Sequence, residues 1–278
     1  MSANASLRNE IFAGNRAVGR IVLTTAATAG VSRRTRVHEA GSLRVRFPSG
    51  GRQDTLDAVI VNTAGGMTGG DCFDVDIKVG AGARLTVTTA AAEKIYRSLG
   101  PDTQIGVKLE VGSGGSLAWL PQETILFDQV RLRRSIAVEL ARDANLLLAE
   151  AAVFGRSAMG ETVVSGLFFD RWRVRVDRTL TFAETICLDG KIAQRLAERA
   201  IAGAGVAVAS VLKIPGDDQD VATVRAMQQD FAGEVGVSAW NGLAVVRFVA
   251  ADGAVLRRDL TGALTALSAG PLPRLWLN

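Results

Sequence analysis

Two stretches decide the fold: VDIKVGAGARLTVTT at residues 75–89 and VKLEVGSGGSLAWLP at residues 107–121. Each alternates apolar and polar side chains, breaks at a glycine-rich turn, and alternates again, and a period of two residues is the pattern of a half-buried strand. The turns, Gly80 with Gly82 and Gly112 through Gly115, carry residues that accept the positive φ of a sharp reversal. Their likeness is a weak internal repeat of stacked hairpins or coils, less regular than a solenoid.

The same alternation extends in both directions. It covers residues 20–25, 43–47, 56–62, 73–79 and 84–89, then 105–111, 117–120, 124–127, 131–140, 145–154, 167–176 and 180–188. About a dozen strands therefore precede helical spacing, which appears at 191–199, at 218–231 (Val221, Val224, Met227, Phe231) and at 254–267 (Leu256, Leu260, Leu264, Leu267). Residues 235–250 read as extended, most firmly at 244–249. In the tail, Pro271 and Pro273 exclude a continuing helix and leave Trp276 to pack from an extended segment. The fold class is mainly β: stacked β-sheets in a β-helix-like arrangement with two or three helices, mostly toward the C-terminal part. One domain is expected over 1–278, strand-rich at 17–190 and mixed α/β at 191–278.

Composition removes several functional classes. With 48% hydrophobic and 22% charged residues the chain is globular, and 278 residues bury a core without metal or disulfide staples. Cys72 and Cys187 form neither a CxxC pair nor a disulfide framework, which fits a reducing cytoplasm. The apolar stretch 200–212 is too short to cross a bilayer, and the first sixteen residues do not read as a secretory leader, so neither membrane nor export is expected. The net charge of +4 is spread along the chain, and only 5% of residues are aromatic, which disfavours nucleic-acid and carbohydrate binding modules. Two tight basic groups remain, Arg33, Arg34, Arg36 and Arg131, Arg133, Arg134. They read as a solvated sheet face or a protein-docking rim.

Catalytic motifs are sparse. The single histidine, His38, has Arg36 and Glu39 as neighbours in an alternating strand and reads as solvent-facing or partner-facing rather than catalytic. The residues at 155–159 break GxSxG at the last position, and Ser210 with Lys213 matches SxxK without its companion motifs. One histidine and two cysteines cannot build a four-ligand metal cage. The glycine loop at 62–71, NTAGGMTGGD, leads into an acidic strand rather than a helix, so it is a close approach of two backbones or a loop lining a channel or partner contact, not a phosphate cradle. Acids set in apolar surroundings are the remaining chemistry: Glu93 beside Lys94, Glu123, Glu150 and Glu184. Such groups need partners or interior water, and together they indicate a polar interior seam. An alternative use of paired carboxylates is a hydrolase or isomerase with one acid and one base.

Five motifs in one order, AGGMTGGD, AAEKIYRS, LPQETILFD, the stretch from Glu150 through FGRSAMGE, and LPRLWLN, resemble the urease accessory protein UreD family, called UreH in some organisms. The likeness covers nearly the whole chain. It implies a non-enzymatic maturation factor that binds apo-urease with UreF and the GTPase UreG and assists nickel delivery. It further implies stacked β-strands with a few helices and an interior passage for nickel(II). On this resemblance no cofactor is held tightly, nickel(II) is transient with no tight site, and GTP enters only through UreG. Carried over by motif position, Gly65, Gly66, Gly69 and Gly70 form the family loop that Asp71 closes. Asp71, Glu93, Lys94, Glu150 and Glu184 are candidates for the polar interior or passage, and Arg131, Arg133 and Arg134 for partner docking. The sequence departs from the family pattern at the missing proline before the glycines, at Glu93 and at Ile95.

Overall fold

The computed structural model describes residues 16–49, 52–156 and 159–277; the leader reading above and Ser157 lie outside the described residues. The two repeat segments are successive coils rather than hairpins. Val75 pairs with Val107 in parallel, and Leu85 pairs with Leu117 in parallel, so one segment stacks on the other across two different sheets. The glycine turn is the corner where the chain crosses between sheets. Gly82 and Gly114 take φ of +65° and +62° there, and Gly82 N–H donates to the Ser113 carbonyl at 2.9 Å, locking corner to corner.

One sheet contains β1 (Val18–Thr28), β2 (Val31–Gly41), β5 (Cys72–Val79), β8 (Thr103–Val111), β11 (Arg131–Leu140), β13 (Gly166–Val176) and β14 (Thr179–Gly190). The other contains β3 (Leu43–Arg46), β4 (Leu56–Asn62), β6 (Arg84–Thr89), β7 (Glu93–Ile95), β9 (Ser116–Trp119), β10 (Thr124–Leu126), β12 (Asn145–Phe154), β15 (Ala207–Ile214), β16 (Glu234–Trp240) and β17 (Leu243–Ala250). Their orders are β14-β13-β11-β8-β5-β1-β2 and β16-β17-β15-β12-β9-β6-β4-β3, with β10 and β7 branching from β12. The coil strands pair in parallel, while antiparallel partners close both ends of each sheet. The molecule is thus mainly strands in a solenoid-like stack, as the fold reading has it.

Between the sheets lies a core of aliphatic rows such as Ile77, Leu109, Val138 and Val174, each fixed by register with its neighbour. Outside the second sheet a smaller core is covered by the last two helices, while the first buries Ile192 and Leu196 in the main core. Helix α1 (Ile192–Ala197) follows β14; α2 (Asp218–Ala226) starts at an Asp217/Asp220 capping box; α3 (Gly253–Leu267) starts at Asp252, whose carboxylate accepts from Val255 N–H at 2.8 Å. Leu256, Leu260, Ala263, Leu264 and Leu267 bury one face of α3 against β15 and β17. The helix expected to reach Phe231 ends at Ala226, and residues 235–250 resolve into the β16–β17 hairpin.

The tail forms a 3-10 turn at Arg274–Trp276 rather than an extended segment, and Trp276 is buried as expected. Its indole N–H donates to the Leu120 carbonyl at 2.9 Å, and Arg257 lies over its ring at 5.4 Å. Arg257 also donates to Glu123 at 2.9 Å and to the Leu275 carbonyl at 2.8 Å. The LPQETILFD and LPRLWLN motifs are therefore one packing unit joined by an arginine from α3. Trp276→Ala is expected to cost about 3–5 kcal/mol in urea unfolding, with Leu277→Ala, on an exposed side chain, within about 0.5 kcal/mol; equal costs would disprove the tether.

Candidate functional site: a charged seam between the sheets

Register places polar side chains in the sandwich interior at adjoining rows. On the first sheet Phe73, Ile105, Arg134 and Asp170 stand side by side. On the facing sheet the neighbours are Glu150, Ser210 and Arg247, and two residues along the strand lie Glu93, Thr124 and Ala152. Glu150 points inward because β12 sends Leu146, Leu148, Ala152 and Phe154 to the main core, and Leu147, Ala149, Ala151 and Val153 to the helix side.

At the centre is a sealed triad. Arg134 and Glu150 are exposed by only 4% and 6%, and Asp170 by 4%. The Arg134 guanidinium grips Asp170 with two bonds, Nε to Oδ1 at 3.1 Å and Nη2 to Oδ2 at 2.6 Å, and its Nη1 pairs with Glu150 and reaches the Thr124 hydroxyl at 3.4 Å. Trp119 Nε1 donates to the remaining Glu150 oxygen at 2.9 Å. One cation thus serves two carboxylates. Burial opposes the charge on Arg134, but Asp170 and Glu150 outweigh it and hold the guanidinium protonated. Burial pushes the Glu150 carboxyl above its ordinary value; Arg134 pulls against this and Asp170 reinforces it.

The seam continues toward both sides. Glu184 on β14 pairs with Arg247 on β17 and ties the two sheets together where Arg247 reaches solvent. In the other direction Glu93, partly exposed, accepts from Asn62 Nδ2 at 2.9 Å, and burial pushes its carboxyl up despite that bond. Glu93, Thr124, Glu150, Asp170, Ser210 and Glu184 therefore form a broken polar line across an otherwise aliphatic interior.

The other sequence candidates fall elsewhere. Asp71 is buried and accepts from Ala17 N–H at 2.8 Å and Thr68 N–H at 2.7 Å, closing the glycine loop instead of lining the seam. Met67 N–H donates to the Lys94 carbonyl at 2.8 Å, and Tyr96 N–H to the Met67 carbonyl at 2.7 Å, so the AGGMTGGD and EKIYRS motifs are laid backbone to backbone. A Cβ on Gly66 would stand 2.5 Å from the Tyr96 ring, and one on Gly69 would strike Ser98. Gly65 and Gly70 take φ of +76° and +90° in the same loop. Lys94 is exposed, its side chain on the opposite sheet face from Glu93. His38 is exposed, as read from its neighbours. Arg131 and Arg133 lie at the surface, sharing Asp102 at 2.6 and 2.5 Å. Arg134 is a correction: the alternation that exposes 131 and 133 turns 134 inward, and a guanidinium 4% exposed cannot dock a partner. Asp170 escaped the sequence reading altogether, although the inward phase of GLFFDRWRVRV, set by Phe168, Trp172 and Val174, carries it.

A cavity of about 270 Å³ lies between α2 and β16, and one of about 300 Å³ lies along the segment that joins them; Phe231 and Val235 line both, and no seam acid lines either. Among the described residues no three His, Cys, Asp or Glu side chains come together as a metal-binding group, and no helix is long and apolar enough to cross a membrane.

Removing Arg134 strands two buried carboxylates, so Arg134→Ala is expected to cost about 3–5 kcal/mol, against less than about 1 kcal/mol for Arg133→Ala; urea unfolding that ranks them alike would refute the triad's burial. The pH dependence has a definite sign. Glu150 folded titrates above its ordinary value of 4.5, so the folded state keeps a proton that the unfolded chain releases, and that contribution is present below the unfolded value and lost as pH rises through the folded one. The wild type is therefore expected to lose melting temperature relative to Glu150→Gln as pH is raised from that value; a difference that grows in the wild type's favour contradicts the assignment.

The chain matches the family described as "UreD urease accessory protein" over residues 17–277. It is 56% identical over 268 residues, 96% of each chain, to a protein named "Urease accessory protein UreD" from Rhodopseudomonas palustris strain HaA2. It is 54% identical, over the full length of both chains, to the protein of that name from Rhodopseudomonas palustris strain ATCC BAA-98 / CGA009. With the protein of the same name from Bradyrhizobium diazoefficiens it shares 50% identity, again over both full lengths. The motifs that pack the glycine loop, the seam strands and the C-terminal turn thus lie in a chain that belongs to the UreD family of urease accessory proteins.

Proposed function

We propose that the chain is a urease maturation factor, a non-catalytic scaffold in the cytoplasm that binds apo-urease together with UreF and UreG and lets nickel(II) pass along its interior seam toward the urease active site. The observation that carries this reading is the buried line of oxygen-bearing side chains between the sheets. Carboxylates and hydroxyls suit a hydrated divalent ion, and a transfer path needs contacts that bind and release.

The triad sets the strength of binding. Two buried carboxylates left bare would retain a divalent cation, and a guanidinium already neutralising them removes most of that attraction. The ion must then compete with Arg134 for Glu150 and Asp170, with Thr124 and Ser210 offering hydroxyl oxygens alongside. Nickel is cargo in this scheme, held by no dedicated cage, and GTP chemistry belongs to UreG. An acid–base enzyme built on the same carboxylates is less well supported, because each seam acid already accepts a hydrogen bond from Arg134, Trp119, Asn62 or Arg247.

The test is nickel-dependent activation of purified apo-urease with UreF and UreG, with and without this chain. Glu150→Gln, which keeps volume and leaves Arg134 paired with both oxygens of Asp170, is expected to fold and to lower activation at least tenfold at limiting nickel while complex formation persists. Full activation without the chain, or undiminished activation by the folded variant, would refute the reading.

A further inference from the structure

We infer that the end of the sandwich formed by three stacked loops is a docking face for a protein surface that is apolar at its centre and edged with carboxylates. The loops follow β7, β10 and β12 and are laid side by side. Ser98 N–H donates to the Gln129 carbonyl at 3.0 Å, Gln129 N–H to the Ser165 carbonyl at 2.9 Å, and Val164 N–H to the Asp128 carboxylate at 2.8 Å. Tyr96 meets Phe127 edge-on at 4.8 Å between centroids, and the Arg156 guanidinium lies 4.2 Å from the centroid of the Phe127 ring. These bonds fix three otherwise irregular segments as one surface.

What that surface displays is unusual for a solvated end. Leu99 is 80% exposed, Met159 72%, Val164 59% and Tyr96 38%, four large apolar side chains gathered on loops that hydrogen bonds hold together. Isolated exposed apolar residues need no explanation, whereas several on adjoining hydrogen-bonded loops edged by charge have the form of a protein contact. The edge is basic. Lys94, Arg97, Arg131, Arg133 and Arg156 surround it, and the acids there are already engaged: Asp102 by Arg131 and Arg133, Glu161 by Arg156, and Asp128 by the amides of Val164 and Ser165. Lys94 and Arg97 make no ion pair among the described residues. The excess positive charge selects carboxylates opposite, and the fixed loops mean little ordering entropy is lost on contact. Behind the face, Ile95, Leu126, Phe154, Phe168 and Leu132 form a dry layer, each at most 2% exposed, so the face is separated from the charged seam.

The proposal rests on the partners named above, and its test uses them as probes. Binding of purified UreF and of apo-urease is measured for the wild type, Leu99→Asp, Val164→Asp, the pair Lys94→Glu with Arg97→Glu, and Leu180→Asp. Leu180, 49% exposed in the hairpin at the opposite end of the strands, is the control. Melting temperatures within a few degrees of the wild type verify folding of these surface variants. The expected result is at least tenfold weaker binding of one and the same partner by every loop variant, no change for Leu180→Asp, and wild-type affinity that falls with salt. Wild-type-like binding by the folded loop variants overturns the docking face while leaving the partner assignment intact. Failure of the wild type to bind either probe overturns both. Self-association that Leu99→Asp abolishes, with both partners unaffected, assigns the face to a second copy and also overturns it.

Discussion

Everything in this molecule is arranged around an arginine that is sealed between two sheets with two carboxylates. A sandwich of stacked coils has a thin interior in which register dictates which side chains face one another. Placing Arg134 beside Asp170 and opposite Glu150 makes the rows on either side answer to charge: Trp119 must aim its indole N–H at Glu150, and Thr124 must present a hydroxyl. An aliphatic triad of the same volume would pack at least as well. The charge therefore contributes little to net stability, and in an otherwise apolar interior it is a cost that the remaining rows carry.

The fold was legible where the physics is local. Alternation at 75–79 and 84–89, interrupted by Gly80 and Gly82, specifies strand, turn and strand. The same pattern at 107–121 specifies a repeat. What alternation cannot distinguish is a hairpin from a coil corner, because both need a tight glycine turn between two strands. The distinction lies in long-range pairing, Val75 to Val107 instead of Val75 to a residue of its own segment. The tail was misread for a related reason: proline forbids an α-helix but permits the 3-10 turn that seats Trp276.

The seam was half legible. Glu150 stands out in LLLAEAAVF because no polar neighbour accompanies it, and Glu184 because it is the one charged residue of LTFAETICL. Asp170 and Arg134 do not, since each sits in a segment with several arginines, where one more charge looks like part of a solvated face. Only the phase separates them: Leu132, Ile136 and Val138 share the parity of Arg134, and Phe168, Trp172 and Val174 that of Asp170. A basic run read as a unit hides this, and the three arginines at 131–134 divide between the outer surface and the deepest point of the core.

The family motifs divide in the same way. The glycine loop and EKIYRS are laid against each other by backbone bonds, with Asp71 as the closing clamp, and LPQETILFD and LPRLWLN are joined through Arg257. These explain themselves as packing. Leu99, Met159 and Val164 do not, because an exposed apolar side chain contributes nothing to the fold that displays it. A sequence that stabilises its loop end with hydrogen bonds and then leaves those residues in water holds a surface rigid for something outside itself. The seam and the loop end are thus two independent departures from what folding alone requires, one a charge where aliphatic packing would serve, the other apolar area where polar side chains would serve. Ile95, Leu126 and Phe168, each at most 1% exposed, lie between them as a dry layer, so the apolar area at the loop end and the charge of the seam are separate features of one packed core.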